Sequence, residues 1–192
     1  EYNKVIKKSL YPTGDALTMG EVVRKVSDAT HKDAILVTDV GQNQMESARY
    51  FQYTKSRSIV TSGGLGTMGF GLPAAIGAKI GVPNRTVCIF AGDGGFQMSI
   101  QELGTIMQSN IGVKMILLNN NYLGMVRQWQ ELSYQKRYSS TPMINPDFNA
   151  IASAYKIANR KVTKREELDE AISDMLSNDE AFLLVVEVEE NG

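Results

Sequence analysis

The sequence holds one cysteine, one histidine and one tryptophan in 192 residues. A lone cysteine cannot form an internal disulfide. Cys88 lies inside an apolar run and reads as a small core residue in a reducing compartment. A lone histidine leaves nothing from which to build a Ser-His-Asp triad or a histidine zinc site. His31, beside Lys32 and Asp33, reads as part of a solvated turn. No apolar run reaches the roughly 18 residues of a membrane span, and no signal peptide is visible. An excess of one charge is missing too. The 20 Lys+Arg and 21 Asp+Glu leave a formal charge of −1, with no basic run beyond Lys4 to Lys8. That gives no support for binding nucleic acid or an anionic membrane. Internal repeats and low-complexity segments are absent. Apolar residues make up 43% and charged residues 21%, ordinary for a globular protein and enough for one α/β domain with a full core.

What is present centres on Ala91 to Gln128. A strand-like run, Thr86 to Ala91, feeds Gly92-Asp93-Gly94, and a second, Val113 to Leu118, feeds Asn119-Asn120-Asn121. Between them Ser99-Ile-Gln-Glu102 is a capping-box pattern with Met98 and Leu103 as its staple. Ile100, Leu103, Ile106 and Met107 follow helical spacing. Strand, helix, strand of this kind predicts a right-handed βαβ unit with parallel strands. Asp93 and Asn120 then fall just past strand carboxyl ends, where open α/β sheets bind ligands. A carboxylate, an amide oxygen and a nearby carbonyl suit Mg²⁺, which leaves positions for water and phosphate oxygens. Gly94 and Gly95 carry no side chain to keep a diphosphate from the backbone N–H groups. Either motif alone reads as a turn; the pair is far more specific.

The remaining chain predicts a doubly wound, mainly parallel α/β sheet of about six strands with helices on both faces. Thr18-Met-Gly-Glu21 is another capping box, with Leu17 and Val22 as staple. Ala34 to Val40 reads as a buried strand, with Gly41-Gln-Asn-Gln44 at its carboxyl end, and Ser58 to Thr61 as a short strand. Gly64, Gly66 and Gly69 match a dinucleotide-binding fingerprint, with Asp93 as a candidate ribose ligand. That reading is the weaker one. Pro73 and the extra glycines suit an irregular turn better than an immediate helix, and Asn119 to Asn121 are left idle. Leu123 to Leu132 reads as a helix with Met125, Val126 and Trp129 on one face, a pattern more often meaning core. Tyr134 to Pro142 is polar and turn-rich, a candidate flap. Phe148, Ile151, Ala152 and Tyr155 suggest a helix. Thr163 to Glu166 caps another, with Leu168, Ala171, Ile172, Met175 and Leu176 as its apolar stripe. Ala181 to Val188 closes the sheet.

Gly-Asp-Gly followed at this distance by Asn-Asn resembles the signature of thiamine-diphosphate enzymes. Four further stretches are similar to the catalytic subunit of acetolactate synthase (acetohydroxyacid synthase): Thr61 to Gly77, Gly124-Met-Val-Arg-Gln-Trp-Gln130, Val40-Gly-Gln-Asn-Gln-Met45 and Asn145-Pro-Asp-Phe148. The resemblance runs from about Leu17 to Glu189 and implies the thiamine-diphosphate-binding fold. It makes residues 17–192 a carboxyl-terminal cofactor domain and residues 1–16 the end of an interdomain linker. It implies that the backbone of Val40, Gly41, Gln42 and Asn43 meets the diphosphate. Many members carry His where Asn43 stands, a change a backbone role survives. The Gly66 carbonyl and Met68 N–H would bond the pyrimidine edge, with the Met68 side chain wedged under the bent cofactor. Gly92, Asp93, Gly94, Gly95, Asn120 and Tyr122, Leu123, Gly124, Met125 would complete the cofactor site. Asp93, Asn120 and the Tyr122 carbonyl would hold Mg²⁺, and Met125, Val126 and Trp129 would form the substrate pocket.

The activity implied is decarboxylation of pyruvate and condensation of the hydroxyethyl unit with pyruvate or 2-oxobutyrate, which begins branched-chain amino-acid synthesis. The glutamate that activates the cofactor belongs to another domain of a partner subunit, so no catalytic residue is certain here and the fragment alone is expected to be inactive. FAD in the full-length enzyme is held mostly outside this domain. A homodimer or tetramer through the thiamine-binding domains, a regulatory small subunit and a bacterial-type cytoplasmic location also follow from the resemblance. Pyruvate oxidase and glyoxylate carboligase share the two core motifs; Met125 to Trp129 and Gly64 to Ala75 favour acetolactate synthase. A non-catalytic assembly module is the alternative of another class. Glu46 replaces a residue usually apolar or aromatic in the family, and the sequence gives no reason for it.

Overall fold

A run of apolar residues with no polar alternation suits a strand buried on both sides, as in a parallel sheet covered by helices. The computed structural model, which describes Ile6, Leu10 and residues 14–190, has that form. After helix α1 (Met19–Ala29) come β1 (Ile35–Thr38), α2 (Gln42–Tyr50), β2 (Ile59–Thr61), α3 (Gly71–Gly81) and β3 (Val87–Gly92). Then follow α4 (Asp93–Met98), a 3₁₀ turn, α5 (Leu103–Ser109), β4 (Lys114–Asn119) and α6 (Gly124–Ser133). The chain continues through α7 (Phe148–Ala154), β5 (Ala158–Val162), a second 3₁₀ turn, α8 (Leu168–Leu176) and β6 (Phe182–Glu187). The six strands lie in the order β2-β1-β3-β4-β6-β5, and every neighbouring pair is parallel.

Alternate residues of each strand feed opposite cores. Leu36, Cys88, Phe90, Ile116, Leu118, Leu184 and Val186 join Val22, Val23 and Val26 of α1, Tyr50 of α2 and the α8 stripe Leu168, Ala171, Ile172 and Met175. Their neighbours Ile35, Val37, Val87, Ile89, Ala91, Met115, Leu117, Leu183 and Val185 join Leu72 and Ile76 of α3, Leu103 and Ile106 of α5, and Phe148 and Ala152 of α7. The sheet is thus doubly wound. Burial pushes the Cys88 thiol up to about 12, which makes it inert core. No helix among the described residues is long and apolar enough to cross a membrane.

The strand order reverses between β1 and β3, whose following helices lie on opposite faces, and such a switch point opens a crevice at the strand carboxyl ends.

Three local expectations are corrected. Ser99 is no cap: α4 starts directly after β3, Ser99 ends it, and its hydroxyl is buried without a partner. The box expected at Thr163 to Glu166 is shifted by one, because Glu167 accepts the N–H groups of Thr163 and Lys164 at 3.2 and 3.3 Å. At α1 only half of the box forms. Thr18 Oγ1 accepts the Glu21 N–H at 3.2 Å, while the Glu21 carboxylate turns to Arg165 at 3.0 and 3.1 Å. Arg165 also donates to the carbonyls of Gly14 and Ala16 at 2.5 and 2.6 Å. Most of the linker expected over residues 1–16 lies outside the described residues. Ile6 and Leu10, which are described, are helical and pack on the first core.

Glu46 acquires a physical account. It is 7% exposed, on α2 where that helix meets α1 so closely that a Cβ on Gly20 would lie 3.2 Å from its Oε2 and 2.7 Å from the Tyr50 ring. Burial pushes its carboxyl above the usual range, against the charge of Arg49 at 3.0 Å and reinforced by Glu189. A folded value above the ordinary 4.5 means that the ionised form costs stability at neutral pH, a cost that vanishes as pH falls through the raised value. Glu46→Gln is therefore expected to melt higher than wild type at pH 7, with the difference closing as pH is lowered towards 4.5. A variant that melts lower at pH 7 would show that the Arg49 pair outweighs burial.

Candidate active site

At the end of β1, Asp39 is 1% exposed and accepts three backbone N–H groups. Oδ1 takes those of Val40 at 2.8 Å and Gly69 at 3.1 Å, and Oδ2 takes that of Gly71 at 2.8 Å. It pins the irregular glycine-rich turn that follows β2 to the tip of its neighbouring strand. Gly66 and Gly69 adopt φ of 61° and 83° in that turn, left-handed values that favour glycine. The following helix starts at Gly71 with Pro73 already inside its first turn, where a missing N–H is tolerated. Pro73 therefore belongs to the helix, contrary to the expectation that it shapes the turn.

At the next strand end, β3 stops at Gly92 and Asp93 opens α4. Asp93 is 1% exposed. Its Oδ1 accepts the Gly94 N–H at 3.0 Å and its Oδ2 the Asn145 side chain at 2.7 Å. Burial raises its carboxyl above the usual range in spite of these bonds. At the end of β4, Asn120 is 4% exposed. It donates to Gln42 Oε1 at 3.3 Å and accepts the Tyr122 N–H at 3.2 Å. The next residues are tied to the far end of the expected flap: Leu123 donates to the Thr141 carbonyl and Met143 to that of Asn121, both at 2.9 Å.

These strand ends share one cleft. Gly41, Gln42, Asn43, Met68, Gly92 to Gly95, Asn120 and Tyr122 to Val126 all line it, with Met19. Val40, between β1 and α2, and Gly66, on the glycine-rich turn, are outside that lining. Trp129 lies in an adjoining hollow with Gln130, Tyr134 and Arg137; Val126 borders both. Sequence reasoning missed Asp39, hidden at the end of an apolar run, and Met19, one residue past a cap. Asn145 was noticed only as part of a motif.

Three features fit a cation-bound diphosphate. The Asn43 amide oxygen is buried at the cleft without a hydrogen-bond partner, an acceptor that a water in the cation's shell would satisfy and a phosphate oxygen would not. Side chains are excluded from the floor: a Cβ on Gly94 would sit 2.7 Å from Leu123, and one on Gly124 1.9 Å from Gln42 Oε1. The oxygens of Asp93, Asn120 and the Tyr122 carbonyl are a hard donor set that suits Mg²⁺ shared with phosphate and water. No cluster of three or more His, Cys, Asp or Glu side chains among the described residues could hold a metal by itself.

A doubly wound parallel sheet with such a cleft at its carboxyl edge defines an α/β cofactor-binding domain. The chain belongs to the thiamine pyrophosphate enzymes, since residues 39–186 match the family's C-terminal TPP binding domain. It is 45% identical over 178 residues to the acetolactate synthase isozyme 2 large subunit of Escherichia coli, covering 92% of this chain and 32% of that protein. To the acetolactate synthase large subunit of Lactococcus lactis it is 46% identical over 86% of this chain and 29% of the relative. To the mitochondrial acetolactate synthase catalytic subunit of Saccharomyces cerevisiae it is 42% identical over 90% of this chain and 25% of the relative. The chain thus spans a third or less of the length of these relatives. The dinucleotide reading is not favoured: the glycine pattern is a turn clamped by Asp39, and the family matched is a thiamine one.

Proposed function

We propose that this chain holds the diphosphate end of thiamine diphosphate through Mg²⁺, within a protein that catalyses the acetolactate synthase reaction. Pyruvate would lose carbon dioxide and pass its two-carbon unit to a second pyruvate or to 2-oxobutyrate, as in the synthesis of valine and isoleucine. The observation that carries this reading is the meeting of Asp93, Asn120 and Tyr122 in one cleft across the ends of adjacent strands β3 and β4. The Asp93 carboxylate, the Asn120 amide oxygen and the Tyr122 carbonyl would hold the cation. Gly41, Gly94 and Gly95 leave backbone open to phosphate oxygens. Met68, which lines the cleft, would support the cofactor's bend. Met125 and Val126, which line the same cleft, would form its apolar wall. The cofactor, when bound, supplies the electron sink that decarboxylation requires.

Titration calorimetry with Mg²⁺ and thiamine diphosphate tests the site. Wild type should bind, and Asp93→Ala should lose metal-dependent binding. Ligand at a hundred times its dissociation constant should stabilise the fold by about 2.7 kcal/mol, roughly 5–10 °C at this size. Equal binding by both proteins, or binding that survives EDTA, would remove the metal assignment.

By the same reading, the activating glutamate and most of the FAD site belong to other domains. The assembly is then a homodimer or tetramer with a possible regulatory subunit, in the cytoplasm. The 192-residue chain alone is therefore expected to form no acetolactate from pyruvate, Mg²⁺ and thiamine diphosphate. Turnover comparable to that of a full-length relative would place the activating acid inside this chain.

A further inference from the structure

We propose that Asn145 is the positioning residue that fixes the Asp93 carboxylate for its cation, an inference that rests on the metal assignment above. Its side chain comes from the segment before α7, far along the chain from both strand ends it serves. Asn145 Nδ2 lies 2.7 Å from Asp93 Oδ2, 2.8 Å from Asn119 Oδ1 and 3.1 Å from Asn121 Oδ1. An amide nitrogen has two hydrogens, so the two shorter contacts take them and Asp93 is bonded to the tip of β4.

The orientation of this amide is dictated from both sides. Gln97 Nε2 donates to Asn145 Oδ1 at 2.9 Å, so the nitrogen must face Asp93. Asn119 Nδ2 is held by both Glu187 oxygens at 3.0 and 2.9 Å, so the Asn119 oxygen must face Asn145. Lys161 anchors Glu187 in turn at 2.9 Å. A line of oriented polar groups therefore runs from the surface to the candidate ligand. With Oδ1 bonded to Gly94 and Oδ2 to Asn145, the carboxylate cannot rotate. The backbone N–H groups of Asn121 and of Asp93 itself also favour the charged carboxylate, the form that a cation needs.

Partners behind a metal ligand typically contribute about 10–100-fold in affinity. Position matters most to an ion with strict geometry. Mg²⁺ demands a near-ideal octahedron, whereas Ca²⁺ accepts looser arrangements. Asn145→Ala is therefore expected to weaken Mg²⁺ binding about 10–100-fold and Ca²⁺ binding by less. Gln97→Leu, which keeps bulk but frees the Asn145 oxygen, should give a smaller loss with the same bias. Both ions are titrated calorimetrically into the full chain with thiamine diphosphate present, and circular dichroism checks folding. If Asn145→Ala does not fold, Gln97→Leu decides alone. Unchanged Mg²⁺ affinity, or equal losses for the two ions, overturns the proposal. Wild type that binds neither ion overturns the metal assignment, and this inference with it.

Discussion

Gly95→Ala is expected to lower the stability of the chain severely and to disorder the cleft. A Cβ at this position would lie 2.1 Å from Asp39 Oδ1 and 2.8 Å from Asp39 Cγ, distances that no side chain tolerates. Asp39 cannot simply retreat, because it accepts the N–H groups of Val40, Gly69 and Gly71. Hydrogen bonds to a charged group contribute about 1.5–3 kcal/mol each. Losing two of the three costs about 3–6 kcal/mol, or roughly 6–24 °C in melting temperature for a chain of this size. The glycine-rich turn would come away from β1 and take Met68 with it, so cofactor binding should fail even below the melting point. Gly124→Ala is the contrast. Its Cβ would clash at 1.9 Å with Gln42 Oε1 and meet Asn120 Nδ2 at 3.0 Å, but Gln42 holds a single long bond to Asn120 where Asp39 holds three, so the loss of stability should be smaller. Scanning calorimetry of the two variants reads the difference. Gly95→Ala melting within a few degrees of wild type would show that the Asp39 clamp is dispensable.

Trp129→Leu in the full-length protein is expected to change the choice of acceptor by about 10–200-fold, the worth of one methylene in an apolar pocket. Trp129 is 60% exposed, so truncation removes little buried surface and should leave melting nearly unchanged. It stands one helical turn beyond Met125 on α6, and its hollow shares Val126 with the cleft. Condensation of two pyruvates should continue, since no charge or candidate metal ligand is touched. The ratio of the two products in competition between pyruvate and 2-oxobutyrate is the measurement. An unaltered ratio in a variant that melts normally would take Trp129 out of acceptor selection.

The sheet was legible because its inner strands are short apolar runs, those of β1, β3 and β4 ending at Asp, Gly or Asn, and burial on both faces requires that composition. Asp93 and Asn120 were legible for the same reason: each directly follows such a run. Finer points were not. Ser99 and Glu102 have the spacing of a capping box, but the chain was already helical from Asp93, so no free N-terminus remained for Ser99 to cap. Glu167 took the role expected of Glu166 because the helix entry is a 3₁₀ turn. Asp39 reaches Gly69 across 30 residues and Asn145 reaches Asp93 across 52, and no local spacing records such contacts. The open oxygen of Asn43 could be seen only once β1 and β3 stood side by side.

The place of β6 governs when the fold can form. It is the last of the six strands in chain order, yet it lies between β4 and β5 and, among the described residues, supplies the only strand partner of β5. As the chain leaves the ribosome, β4 has an open edge and β5 has no strand to pair with until Phe182 to Glu187 emerge. Glu187 is also the residue that orients Asn119. The half of the cleft on β4 must therefore be completed after synthesis has passed every residue that lines it, and a ribosome paused before β6 would hold a domain with an exposed apolar strand edge.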